Sequence, residues 1–198
     1  MGAVLVLMVV LGTSDVKADP VTFSTTGVFS VSGTNVVNFS SVNGTTTITF
    51  NGTTNSVNTP AGTSFGDIVV TTTVPANLLG PAIGGTFTLN IIQVSPAGAS
   101  SFVGTLSGNL GFNTGIATLT FSTTSMTIGG FTYTINPVYT IALPVTGVGG
   151  GAGTGTTTIQ GTVTGGAVGN VPEPASMVLL GTGLLGLSGA IRRKMKNS

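Results

Sequence analysis

The clearest indication of the fold comes from a stretch of ten residues, Met126-Thr127-Ile128-Gly129-Gly130-Phe131-Thr132-Tyr133-Thr134-Ile135. Apolar side chains alternate with threonine on both sides of the two glycines, and a period of two is that of a half-buried β-strand. Two glycines between such runs fit a two-residue hairpin turn, which needs positive φ. The stretch therefore predicts an antiparallel hairpin with one apolar face.

The same alternation recurs over most of the chain. In Thr45–Phe50, the side chains of Thr46, Ile48 and Phe50 share one face, and the other three threonines share the opposite face. Turn residues separate the alternating runs, and no helical pattern occurs before Ala175. About ten strands at spacings of about 8–15 residues are typical of a sandwich. We therefore expect an all-β fold, an antiparallel β-sandwich of jelly-roll type.

The predicted core consists of the apolar residues at inward-facing strand positions. They are Phe29, Val31, Phe39, Ile48, Phe50, Val69, Phe87, Leu89, Ile91, Leu106, Leu119, Phe121, Ile128, Phe131, Tyr133, Ile135, Tyr139, Ile141, Ile159 and Val163. The chain has no cysteine, so we expect burial and sheet hydrogen bonds to stabilise this core without disulfides.

Charge is nearly absent from this body. The whole chain is 5% charged and has no Cys, His or Trp, and between Pro20 and Asn170 the single acid or base is Asp67, apart from two tyrosines. Acid–base and nucleophilic catalysis need a positioned proton carrier, and metal sites need several carboxylates, His or Cys. Nucleic-acid binding needs a basic surface. The composition predicts a protein that is not an enzyme and binds no metal, cofactor or nucleic acid.

The C-terminus has three consecutive parts. Val171-Pro172-Glu173-Pro174 is expected to stay extended, because the prolines fix φ and lack backbone donors. The uncharged residues Ala175–Ile191 predict a transmembrane helix of about 26 Å, enough for a thin bilayer of about 27–30 Å. A basic tail follows and predicts a cytoplasmic anchor, formed by Arg192, Arg193, Lys194 and Lys196.

Together these parts, from Val171 to about Lys196, resemble the PEP-CTERM sorting signal of Gram-negative bacteria, also described as the "ice-binding protein C-terminal domain". The resemblance implies an exported protein that pauses in the inner membrane and is cut near Glu173-Pro174 by an exosortase. The body would then reach the cell surface or be released, usually in organisms that make exopolysaccharide. The alternative is an ordinary single-pass anchor with an incidental Pro-rich stalk.

The N-terminus agrees with export by the Sec machinery. The short apolar run Ala3–Leu11 precedes Val16-Lys17-Ala18, whose small residues suit cleavage between Ala18 and Asp19. No Lys or Arg directly follows Met1, so either the true start lies upstream or the signal is weak. The predicted organisation is a signal peptide (1–18), an extracytoplasmic β-sandwich (19–170) and the sorting signal (171–198).

Two stretches of the body also resemble the extracytoplasmic domains of the "choice-of-anchor" group. They are Ser64-Phe65-Gly66-Asp67-Ile68 and Gly85-Thr86-Phe87-Thr88-Leu89-Asn90-Ile91. This resemblance implies no binding residues.

Exposed threonine and serine have three interpretations. The first is β-propensity with solubility, and the second is acceptance of O-linked glycans that protect sheet edges lacking charge. The third is binding of carbohydrate or ice by a Thr-rich sheet face that includes Thr45-Thr46-Thr47-Ile48-Thr49 and Thr71-Thr72-Thr73. No fixed repeat stacks these rows into a solenoid.

Two further features of the body have alternative interpretations. Asp67 either contributes one ligand to a cation or, as we favour, is an exposed or turn-capping carboxylate. The run Gly149-Gly150-Gly151-Ala152-Gly153-Thr154-Gly155 is either a ligand-facing lid or, as we favour, a flexible hairpin loop before Thr156–Thr164.

The sequence as a whole predicts a non-enzymatic surface or extracellular-matrix protein that is associated with exopolysaccharide or biofilm. Its expected transient partners are the exosortase and the export machinery. The alternative function is a carbohydrate- or ice-binding module.

Overall fold

The computed structural model describes residues 20–144, 154–165 and 182–183. Strands account for most of these residues, and the described part of the chain contains twelve of them: β1 (Pro20–Phe29), β2 (Val36–Ser41), β3 (Gly44–Asn51), β4 (Thr54–Asn58), β5 (Ala61–Thr72), β6 (Ala82–Gln93), β7 (Gly98–Leu110), β8 (Gly115–Phe121), β9 (Ser125–Ile128), β10 (Phe131–Ile135), β11 (Val138–Thr140) and β12 (Thr154–Gly165).

The strands form two curled antiparallel sheets of six strands each. The first sheet has the order β11-β8-β7-β6-β1-β4, and the second has the order β2-β3-β5-β12-β10-β9. The predicted all-β fold with two antiparallel sheets is therefore confirmed. The jelly-roll detail was wrong, because β6, β7 and β8 form a meander within one sheet, whereas a jelly roll is built from two Greek keys of eight strands.

The hairpin predicted at Gly129-Gly130 is present. It joins β9 to β10, with Ile128 opposite Phe131 across the turn. Both glycines have positive φ, 56° and 88°, which a two-residue turn of this kind requires. The prediction from the ten-residue stretch is confirmed.

The two faces of β3 are also as predicted. Thr46, Ile48 and Phe50 are buried, whereas the alternate threonines are partly exposed. The buried Thr46 hydroxyl donates to the main-chain oxygen of Leu110 at 2.8 Å and lies 3.0 Å from the hydroxyl of Thr72. These bonds satisfy a polar group that would otherwise be costly to bury.

Aromatic rings from both sheets meet in the core. The ring of Phe23 on β1 lies 5.5 Å from Phe65 on β5 and 5.5 Å from Tyr133 on β10. A second contact joins Phe50 on β3 to Phe87 on β6 at 5.2 Å. Ring pairs at such distances contribute about 0.5–1.5 kcal/mol each beyond the area that they bury. One apolar core therefore lies between the sheets.

Most of the predicted core is buried, and three residues differ. Val31 is 62% exposed, because it lies in the turn after β1. Phe39 is only partly buried, because β2 is an edge strand. Val69 is partly exposed, because a β-bulge changes the side to which it points.

This bulge lies between β5 and β12. β5 contributes two residues, Phe65 and Gly66, where β12 contributes only Ile159, and both residues of β5 are buried. An extra residue shifts the alternation of the strand by one position. Phe65 and Ile68 consequently both point inward although they are three residues apart, and Val69 points outward.

The glycine-rich run was predicted as a loop, and this is wrong for its last two residues. β12 begins at Thr154, so Thr154 and Gly155 are strand residues that pair with Thr71 and Val70 of β5. Their place is fixed by pairing to a central strand, which local composition does not reveal. Residues 149–153 lie outside the described residues.

The chain divides into two compact units, Met1–Gly166 and Ala167–Ser198. In the second unit only Thr182 and Gly183 are described, and both are helical. Across the described ranges, the structure contains no helix that is long and apolar enough to cross a membrane. The rest of the predicted transmembrane segment 175–191 and all of the signal peptide lie outside these ranges.

We expect Gly66→Ala to lower the free energy of unfolding by about 3 kcal/mol. Gly66 has φ of 120°, and an added Cβ would lie 2.5 Å from the ring of Phe50 and 2.6 Å from the main-chain oxygen of Asn51. Left-handed backbone strain and overpacking each cost about 1–3 kcal/mol. Urea unfolding of the wild-type protein and the variant measures the difference.

Gly62→Ala is the matched control on the same strand, since the nearest atom to its Cβ would be 3.9 Å away. This variant should differ from wild type by less than about 0.5 kcal/mol. Equal effects of the two substitutions would contradict the structural role of the bulge.

Candidate threonine-rich binding face

The outer side of the second sheet has rows of threonine across its central strands. Thr47 on β3, Thr71 on β5 and Thr154 on β12 occupy one row. The next row consists of Thr49, Val69 and Thr156. We call these outward residues, with Thr45, the threonine face: Thr45, Thr47, Thr49, Val69, Thr71, Thr154 and Thr156.

Sheet geometry makes this face a regular array. Neighbouring strands lie about 4.7–4.9 Å apart, and alternate residues along a strand lie about 6.5–7 Å apart. The β-branched threonine side chain is stiff at χ1, so hydroxyls and methyls hold fixed directions. The face therefore presents two short rows of hydrogen-bonding and apolar groups across three strands.

A shallow depression of about 230 Å³ lies at one end of this face. Five threonines line it. Thr45 and Thr47 belong to β3, Thr71 and Thr72 to β5, and Thr73 directly follows β5. The Thr73 hydroxyl is fixed there, because it accepts from the N–H of Thr45 at 3.0 Å. The depression has room for a small polar group such as part of a sugar ring.

Some hydroxyls near the face already have partners in the sheet. The Thr47 hydroxyl donates to the Asn38 side-chain oxygen on β2 at 2.7 Å. The Ser40 and Thr45 hydroxyls lie 3.0 Å apart. Each hydroxyl has one donor and two acceptor positions, so these groups keep free acceptor capacity. The face can therefore bind hydroxylated ligands while its side chains stay oriented.

Further polar rows cover the other half of this sheet. Thr162, Thr134 and Ser125 align across β12, β10 and β9. Beside them, the Thr132 hydroxyl lies 3.2 Å from that of Thr127. Hydroxyl-bearing side chains thus continue across the outer side of the sheet.

Asp67 lies in the middle of β5, partly buried, rather than at an exposed or turn-capping position as favoured from the sequence. It pairs with Asn51 on one side and Thr158 on the other. The Thr158 hydroxyl donates to the Asp67 carboxylate at 2.6 Å. Among the described residues, Asp67 is the one charged side chain, and nothing there supplies a second carboxylate.

The two tyrosines are the other ionisable groups of the described body, and both are buried. Burial raises the pKa of Tyr133 to about 12, and its hydroxyl donates to Gln93 at 2.7 Å. Burial also raises the pKa of Tyr139, whose hydroxyl donates to the main-chain oxygen of Gln160. Both phenols therefore stay neutral near pH 7 and act as core hydrogen-bond donors.

Aromatic side chains are absent from the described part of the threonine face. The described phenylalanines and tyrosines are buried in the core, except Phe39, which is partly buried. A ligand on this face would thus be held by hydroxyls and methyls, without stacking on a ring.

The sequence located part of this site. The two threonine stretches predicted as a sheet face lie on the paired strands β3 and β5, and in each stretch the alternate residues point outward. Thr154 and Thr156 were missed, because Thr154 was assigned to the glycine-rich loop and pairing with β12 is non-local. Threonine at every second position, in Thr154, Thr156 and Thr158, was the sequence pattern that could have indicated that the strand begins at Thr154.

The residues predicted for sorting and signal cleavage lie outside the described residues. These are Ala18 and Asp19, Val171-Pro172-Glu173-Pro174, and the tail residues Arg192, Arg193, Lys194 and Lys196.

Comparison with known families matches residues 170–194 to the PEP-CTERM protein-sorting motif. Neither the curated proteins nor the solved structures gave a match to the chain. The predicted sorting signal is confirmed by the family match. The chain thus carries a PEP-CTERM motif, which implies export, membrane-associated sorting and processing by an exosortase.

Proposed function

We propose that this chain is a non-enzymatic protein of the cell surface or extracellular matrix, sorted through its PEP-CTERM signal and associated with exopolysaccharide. The observation that carries this proposal is the sorting motif at residues 170–194. The precursor is held in the inner membrane by the segment 175–191 and its basic tail. Removal of this segment delivers the β-sandwich to the surface or matrix.

The chemistry of the body supports a role in contact rather than catalysis. Its described residues offer one carboxylate, Asp67, whose nearest polar partner is a threonine hydroxyl. A general acid or base needs a pKa near the working pH, whereas burial raises the pKa of Tyr133 to about 12. Apart from Thr158, which donates to Asp67, the hydroxyls of the described residues lack an adjacent carboxylate or imidazole to activate them.

The threonine face supports contact with polysaccharide. Neutral polysaccharides present many hydroxyl groups, and the face presents hydroxyls at the spacings of a sheet. Each hydrogen bond contributes only about 0.5–1.5 kcal/mol net. We therefore expect weak binding at each site, and firm attachment through many sites on a long polymer.

For sorting, Glu173→Ala should cause the uncut precursor to accumulate in the inner membrane. The expected reason is loss of recognition by the exosortase, since Glu173 is the acidic residue of the Val171–Pro174 stretch within the matched residues 170–194. Cell fractionation with intact-mass measurement distinguishes the precursor from the processed protein.

The matched control for this experiment is Ser176→Ala, two residues after the Val171–Pro174 stretch, in the uncharged part of the matched residues 170–194. It should be processed like the wild-type protein. Normal processing of the Glu173→Ala protein would argue against exosortase recognition and for an ordinary anchor.

The second candidate function is a specific binding module for one carbohydrate or for ice. The regular rows of threonine favour it, because an ordered lattice of hydroxyls and methyls can match an ordered ligand. A glycan array and an ice-recrystallisation assay distinguish the two functions. A general matrix protein should be negative in both assays, and a specific module should be positive in one.

Removing hydroxyls from the threonine face should weaken binding to exopolysaccharide. We expect the double variant Thr71→Val and Thr154→Val to bind about tenfold less, since each lost hydrogen bond costs about 0.5–1.5 kcal/mol. Co-sedimentation of the surface-harvested protein with the polymer of the producing organism measures this change.

The matched control replaces Thr105 and Thr120 by valine. These two residues are exposed and opposite each other on the outer side of the first sheet. Binding by this control should equal that of wild type. An equal loss in both double variants would show that the threonine face has no special role.

A further inference from the structure

The free edge of β2 is the longest of the four sheet edges. The four edge strands are β2, β4, β9 and β11, with 6, 5, 4 and 3 residues. Shortness, charge, proline and bulges are the usual protections of an edge. β2 is the longest of the four, and Val36-Val37-Asn38-Phe39-Ser40-Ser41 has no charge and no proline.

The pairing with β3 shows which backbone groups point outward. The N–H of Phe50 donates to the main-chain oxygen of Asn35 at 2.8 Å. Because hydrogen-bonded pairs alternate in an antiparallel ladder, Val37 and Phe39 bond toward β3. The N–H and C=O groups of Asn38 and Ser40 therefore point away from the sheet.

Thr34 already covers the beginning of this edge. Its hydroxyl donates to the main-chain oxygen of Val36 at 2.8 Å and accepts from the N–H of Val36 at 3.2 Å. No described residue bonds to the outward main-chain groups of Asn38 and Ser40. The open part of the edge thus consists of four backbone groups on two residues.

Phe39 lies between these two residues and is partly buried. Every other aromatic side chain in the described part of the chain is buried. The partly exposed ring of Phe39 therefore lies at the middle of the open edge. A second strand placed there would cover both the backbone groups and the ring.

We propose that two copies of this chain pair through β2, antiparallel and related by a twofold axis at Phe39. Asn38 of one copy then lies opposite Ser40 of the other, and the reverse pair forms at the same time. This register makes four main-chain hydrogen bonds and brings the two Phe39 residues together as a non-hydrogen-bonded pair, whose side chains approach most closely. The result is one continuous sheet of twelve strands.

Charge supports a second copy as the occupant. The described body has Asp67 as its single charged residue, on β5 and away from this edge. Two copies therefore meet without the repulsion that separates proteins of high net charge. A self-complementary strand also needs no other partner, because a twofold interface uses the same patch twice.

Cysteine cross-linking tests the pairing and its register, since the full chain has no cysteine of its own. Full chains carrying Asn38→Cys and full chains carrying Ser40→Cys are co-expressed with different epitope tags and mildly oxidised in the membrane. Opposite Cα atoms of a hydrogen-bonded pair are about 5.5 Å apart, within the range for a disulfide. Two copies of Asn38→Cys would place these atoms more than about 7 Å apart.

We expect the mixture to give at least about fivefold more disulfide-linked dimer than either variant alone, measured on non-reducing gels. Thr105→Cys, exposed on the outer side of the first sheet, is the control and should give only background. Cross-linking of the mixture at the level of this control would overturn the proposal. So would equal cross-linking of Asn38→Cys alone, because that result indicates random collision or another register.

Discussion

Packing of aromatic rings between the two sheets holds the sheets of this protein together. Phe23 contacts Phe65 and Tyr133, and Phe50 contacts Phe87, so that each contact joins one sheet to the other. The chain has no disulfide, and its described body has almost no charge. Burial and neutral hydrogen bonds must therefore stabilise it against the entropy of the unfolded chain.

This constraint also determines the surface. Because the aromatic rings are buried, threonine and serine form much of the outer surface of both sheets. These residues combine high β-propensity with solubility. Such a surface is suited to weak and repeated contact with polymers, which agrees with delivery outside the cell by a PEP-CTERM signal. The same lack of charge leaves the edge at β2 without the usual protection against pairing.

Features that depend on local alternation of apolar and polar residues were predicted correctly from the sequence. Features that depend on pairing between strands distant in the sequence were not. The hairpin at Gly129-Gly130 and the inward position of Thr46 followed from a period of two. Val69 was assigned to the wrong side, because the bulge at Gly66 is defined only by pairing with β12. The same pairing turns Thr154 from a loop residue into part of the threonine face. Strand order is also non-local, which is why the jelly-roll detail was wrong.

The effect of salt on stability measures how much ion pairs contribute to the fold. If burial and neutral hydrogen bonds stabilise the body, its free energy of unfolding in urea should change by less than about 0.5 kcal/mol between about 20 mM and about 500 mM sodium chloride, since the charges that salt screens are nearly absent. A loss of more than about 2 kcal/mol at high salt would show that ion pairs carry the fold, and would contradict the account.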